Sequence, residues 1–149
     1  MASLEEELKS RFTNERVKAT LNVIFTEKFL SNQINSDFRP FGLTHEQFNV
    51  LRILRGKHPQ CMCQKDILAR MIARNSNITL IIKKLVKKKW VKVAQSQKDR
   101  REYEISITDA GLKKLEELDA FIKIRDKTLI KLTESEAFHL NALLDKIRS

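Results

Sequence analysis

The side chains best suited to chemistry lie between Gln64 and Arg101. Twelve of the 29 Lys and Arg residues fall there against two of the 19 acids, Asp66 and Asp99, which leaves 17 of each sign elsewhere and assigns the formal charge of +10 to this one stretch. Localised positive charge on a balanced body suits a docking surface for a polyanion, because solubility needs only charge spread evenly. A lysine-rich helix that is simply solvated is the plain alternative. Two runs stand out, "NSNITLIIKK" from Asn75 and "KDRRE" from Lys98. Short amides and hydroxyls can address base edges, lysines can meet phosphates, and arginine's planar donors suit a narrow negative groove. A third run, "HPQCMC", sets His58, Cys61 and Cys63 within six residues, all ligands for a soft metal and two of them oxidisable thiols. Three ligands fall one short of a structural zinc site, and a cysteine here serves equally well as a small packing residue or a helix cap.

The elements that position these residues follow from periodicity and capping. Ser3 with Glu6 forms a capping box, and Leu8, Phe12, Leu21, Ile24, Phe25 and Phe29 carry an unusually long helix towards Phe38. Thr44 and Gln47 form a second box, with Leu43 and Phe48 as its hydrophobic staple, for a helix closing near Gly56. A short helix is predicted over 64–72. In the next, over 75–89, Ile78, Ile81, Ile82 and Leu85 share one face and Ser76, Thr79, Leu80 and Lys83 the other. After Trp90 the period becomes two, giving a hairpin over 91–107 with a charged tip, Trp90 and Tyr103 fitting its core side. Thr108 then caps the first of two final helices, and Thr133 with Glu136 opens the second.

Helix, turn, basic helix and hairpin in this order describe a winged helix-turn-helix. The fold class is thus mainly α with a small β-hairpin wing, in one domain over 1–149. A helix about 10 Å wide enters a DNA major groove with its early exposed residues at the base edges. Those residues are Asn75, Ser76, Asn77, Thr79 and Leu80, with Lys83 and Lys84 further along near the backbone. Lys98, Arg100 and Arg101 form the wing tip, and Asp99 is assigned to the turn, where its carboxylate fixes the direction of an arginine. The first helix (3–38) and the last two (108–149) are more apolar than one short chain can cover, which predicts a two-fold dimer around a reading lobe at 44–107. Its recognition helices would then stand roughly 34–36 Å apart.

Three motifs in register, "LTHEQF" at 43–48, "SNIT" at 76–79 and "DRR" at 99–101 ahead of "IT", make the sequence resemble the MarR family of bacterial transcription regulators over nearly its full length. The resemblance implies a homodimer that binds a pseudo-palindromic operator, represses genes and is released by a small molecule, oxidant or metal. It also implies an aromatic-acid pocket among Phe38, Phe41, His45 and Phe48, although aromatic residues at this spacing ordinarily just pack. Two positions depart from the pattern. Leu80 replaces a polar residue and suits contact with a thymine methyl. Lys89 takes the usual glycine position after the recognition helix, where a slightly altered backbone path is expected. Thiol-sensing members carry their cysteine in the first helix, where this chain has none.

Other classes find little support. Three scattered glycines, no HExxH and no nucleophile beside a base argue against an enzyme, and no cofactor is called for. A basic winged-helix module for protein assembly or RNA binding, with no operator of its own, is a second class, but an RNA module would show aromatic residues on its cationic face, and here they lie outside it. Cys61 and Cys63, one residue apart, give no disulfide framework. The polar start and the lack of a run of about 18 apolar residues predict a cytoplasmic protein without a membrane span.

Overall fold

Local capping sets most boundaries of the computed structural model, which describes residues 2–74 and 77–149. The order is α1 (Leu4–Leu8), α2 (Glu15–Phe38), a 3-10 turn (Arg39–Phe41), α3 (His45–Lys57), α4 (Gln64–Arg70), α5 (Ile78–Lys87), β1 (Val91–Gln95), β2 (Tyr103–Ile107), α6 (Asp109–Thr128) and α7 (Glu134–Arg148). The boxes at Ser3, Thr44 and Thr133 all close reciprocally with Glu6, Gln47 and Glu136. Leu43 and Phe48 are buried on either side of the Thr44 cap, as a staple requires.

The N-terminal helix is two helices where the periodicity predicts one. Lys9 turns left-handed at φ 49°, and α2 restarts when Asn14 Oδ1 accepts from the N–H groups of Arg16 and Val17 at 2.9 and 3.3 Å. The cause is local. Ser10, Thr13 and Asn14 prefer to bond nearby backbone, as Ser10 Oγ does by donating to the Leu8 carbonyl at 3.1 Å.

The core runs from Phe38 to Leu118. Phe48, Val50, Leu51 and Leu54 of α3 meet Ile67 of α4, then Ile78, Ile81, Ile82 and Leu85 of α5 and the inner residues of the hairpin. β1 and β2 pair antiparallel with Val91 opposite Ile107 and Gln95 opposite Tyr103. Met62, ahead of α4, exchanges two 2.8 Å backbone hydrogen bonds with Ile105 and so ties the helix-turn-helix to the wing. Tyr103 does not face the core as its alternation suggests. It lies exposed at the outer end of β2, and Val93 is exposed as well, because the hairpin extends beyond the helices that cover its base.

The end of α5 corrects the expectation for Lys89. Its backbone is left-handed at φ 63°, with the Trp90 N–H donating to the Leu85 carbonyl at 3.1 Å and the Lys89 N–H to Val86 at 2.9 Å. This is a complete Schellman motif held by a lysine, so the glycine path is kept and the side chain accepts strain of roughly 1–2 kcal/mol. Tertiary contacts explain why. Thr108 Oγ1 donates to the Lys89 carbonyl at 2.6 Å, its N–H donates to the Trp90 carbonyl at 3.0 Å, and Gly111 packs so closely that a Cβ would stand 2.3 Å from the Trp90 oxygen.

Candidate nucleic-acid interface

A helix start needs its first N–H groups satisfied, and in α5 this occupies one of the expected base-reading residues. Asn77 Oδ1 accepts from the Leu80 N–H at 3.2 Å, which leaves its amide nitrogen as the free end. Thr79 Oγ1 donates to Gln64 Oε1 at 3.3 Å and thereby fixes α5 against the start of α4. Asn75 and Ser76, assigned to the same face, lie outside the described residues. Leu80, Lys83, Lys84 and Lys87 are exposed at helical spacing opposite the buried isoleucines. The helix therefore presents one apolar residue followed by a cationic stripe.

Lys88 does not join that stripe. Its Nζ donates to the Gly42 carbonyl, approaches Gln47 Oε1 at 3.4 Å and stands 5.0 Å from the centre of the Trp90 ring. Lys114 lies over the same ring at 5.4 Å. Burial first, then the charges of Lys114 and Lys84, lowers the Lys88 pKa from the usual lysine range. Counting lysines in the sequence does not reveal this, since nothing local separates Lys87 from Lys88.

The wing tip is ordered by three side chains. Ser96 is buried, and its hydroxyl accepts from the N–H groups of Lys98 and Asp99 at 3.2 and 3.4 Å while donating to Glu104 at 3.3 Å. Asp99 then accepts from the Arg101 N–H at 3.0 Å and from its guanidinium Nε and Nη2 at 3.2 and 3.3 Å. The guanidinium and backbone N–H of Arg101 hold the Asp99 carboxyl below its ordinary range. Arg101 nevertheless keeps 91% of its side-chain surface exposed. Asp99 thus aims the arginine without covering it, the role expected for this turn. Gln95 Nε2 donates to the Arg100 carbonyl at 2.6 Å and braces the turn from the strand side. Ser96 and Gln95 escape sequence reading because a polar residue at a strand end looks like an ordinary surface position. Lys98 and Arg100 are exposed beside Arg101, so α5 and the tip offer two separate cationic surfaces.

Residues 43–103 match the model of the MarR family, from the staple leucine to the outer end of β2. Over 89 residues the chain is 30% identical to the HTH-type transcriptional regulator PapX of Escherichia coli, covering 60% of this chain and 54% of that one, so it spans about half of that relative's length. The crystal structure of a MarR transcription factor from Planctomyces limnophilus superimposes with a TM-score of 0.70 at 27% identity, covering 92% of this chain and 99% of the other. A mutant MarR from E. coli complexed with operator DNA gives 0.78 at 23% identity, covering 93% and 99%. Residues 43–103 thus form a MarR-like segment, and the chain is similar in fold to MarR transcription factors.

Among the described residues, Phe38, Phe41, His45 and Phe48 do not line one cleft together. Phe38 and Phe48 are buried and stack at 4.6 Å, and Phe41 packs on Phe121 at 5.0 Å, so three of the four rings fill the core. His45 lines a cleft of about 1460 Å³ bounded by α2, the start of α3, residues 71–73 and α7. Burial, then the charges of Arg125 and Arg52, lowers the pKa of its ring. The metal reading of the cysteine run finds no geometry either. Among the described residues no three His, Cys, Asp or Glu side chains converge, and His58, Cys61 and Cys63 stay apart. Cys61 is exposed and Cys63 is half-buried at the α4 N-cap position, its side chain making no capping hydrogen bond. No described helix is long and apolar enough to cross a membrane.

Proposed function

We propose that the chain is a transcription regulator that reads double-stranded DNA as a homodimer, represses from a pseudo-palindromic operator and is released by a small-molecule effector. The carrying observation is Arg101, aimed outward by Asp99 on a tip separate from the Leu80–Lys83–Lys84–Lys87 face of α5. Two cationic features on rigid mounts suit a groove and the phosphates beside it, with α5 in the major groove and the wing at the adjacent minor groove. The similar E. coli MarR is complexed with operator DNA, which supports double-stranded DNA as the partner. Residues 44–107 form the reading lobe in this proposal, and 3–38 with 108–149 carry dimerisation, since α2 and α7 expose Val17, Leu21, Ile24, Phe29, Phe138, Leu143 and Ile147. The effector has the cleft beside His45 as its place, and the molecule works in the cytoplasm, where its operator is.

The test begins by selecting bound fragments from the source genome, which yields the operator. Arg101→Ala should then lower affinity for it by about 1–3 kcal/mol with an unchanged melting curve. Unchanged affinity at physiological salt rejects the wing role. Lys87→Ala should reduce the salt slope of binding by about one while leaving sequence preference intact. A loss of discrimination there would mean that a different face of α5 reads the bases.

A further inference from the structure

Buried cations are normally fully paired, because an unmet charged N–H forfeits hydration without replacement. Arg125 of α6 breaks that rule. Its side chain is only 12% exposed, and Nη2 donates to Asp126 at 2.9 Å, yet Nε and Nη1 are buried with no acceptor among the described residues. The guanidinium lies 5.2 Å from the centre of the Phe38 ring, which holds it in place but accepts no hydrogen bond of this strength. It borders a cleft of about 370 Å³ between α2 and α6, walled by Phe29, Phe121, Ile124 and Leu129 with Gln33 and Asp37 as polar members. Asp37 is committed to Gln33, whose Nε2 donates to it at 2.9 Å. The rim is apolar and open, Phe29 being 61% and Ile124 68% exposed.

We propose that a carboxylate from a second copy of this chain enters the cleft and accepts from the free N–H groups of Arg125, completing the subunit interface. The inference rests on the homodimer reading above. A carboxylate is the side chain that matches these donors in charge and hydrogen bonding. The occupant is protein because the rim itself is apolar, with Phe29 and Ile124 exposed and in need of cover, and because the chain carries 17 acids outside its basic stretch to supply one. An orphaned cation ringed by exposed apolar groups is the layout of an interface anchor before its partner arrives.

The sign of one substitution tests this. Sedimentation equilibrium on the full chain should show Arg125→Met weakening the dimer by about ten-fold or more, because the partner carboxylate is left buried and unpaired, with Arg125→Lys weakening it less. Equal or tighter dimerisation of Arg125→Met overturns the proposal while leaving the homodimer reading intact, since removing an orphaned charge only relieves a penalty. A monomeric wild type overturns both. If Arg125→Met fails to unfold cooperatively, Arg125→Lys carries the test, and an unchanged dimer constant for it counts against the partner carboxylate. Benzoate, titrated as a probe, should not bind the dimer through Arg125. Binding to wild type that is lost in Arg125→Lys with no change in dimerisation assigns the donors to a free carboxylate and ends the proposal.

Discussion

The lobe between Leu43 and Ile107 and the helices at the two termini are built on opposite terms. In the lobe, the 13 residues of α3 bury Gln47, Phe48, Val50, Leu51 and Leu54, and the ten residues of α5 bury four. At the termini, the 24 residues of α2 bury only Phe38, and the 15 of α7 bury none. Both regions are rich in apolar residues, so composition does not separate them. The difference lies in what covers those residues: in the lobe it is the chain itself, whereas the large apolar residues of α2 and α7 stay mostly exposed.

The largest effect that would sharpen this contrast is a matched pair of truncations. Phe48→Ala, inside the lobe, should lower the unfolding free energy by about 3–5 kcal/mol at any protein concentration. Phe138→Ala, on the exposed face of α7, should leave unfolding of the lobe within about 0.5 kcal/mol and instead shift the concentration dependence of self-association. Denaturant titrations at two concentrations distinguish the outcomes, and equal losses in the two variants would break the contrast. Next comes Gly111→Ala, where the added methyl meets the Trp90 carbonyl at the join between the regions. A loss of about 2–3 kcal/mol is expected, read as a lowered melting temperature.

Lys89→Gly should act in the opposite direction, adding about 1 kcal/mol by relieving the left-handed lysine. Unchanged or reduced stability would mean that the hydrogen bonds around Lys89 carry more than the strain removes. The smallest effect is in pH. Because the His45 pKa is lowered by burial from about 6.5, the unfolded chain takes up its proton first as the solution is acidified. Stability from this group is present above that value, is lost as pH falls below it, and levels off once the folded ring titrates too. Melting curves from pH 7 down to about 5 should show the decline, and His45→Gln should flatten it.

Much of this was legible in the sequence because it is written locally. Capping boxes join residues three apart, and the alternation of α5 separates Ile78, Ile81, Ile82 and Leu85 from Leu80 and Lys83 without outside help. The Asp99–Arg101 pair was legible for the same reason, since its partners are two residues apart. What escaped depends on distance along the chain. Lys88 is turned aside towards Gly42, Gln47 and Trp90, the Lys89 backbone is held by Thr108, and Thr79 reaches Gln64. The break at Lys9 was missed for a different reason: apolar spacing continues across it, while Asn14 offers a cap that restarts the helix. The aromatic quartet is ambiguous in the sequence because spacing alone does not say whether a ring faces a cavity or another ring.

The fastening of Thr108 and Gly111 to the carbonyls of Lys89 and Trp90 has a mechanical corollary. α6 leaves that point as a rod of 20 residues, about 30 Å long. With its root clamped where α5 and the hairpin meet, a tilt of about 5° is magnified into a swing of about 2.6 Å at the far tip. Run in reverse, the same leverage makes the lobe's heading an obedient readout of whatever grips the other end of that rod.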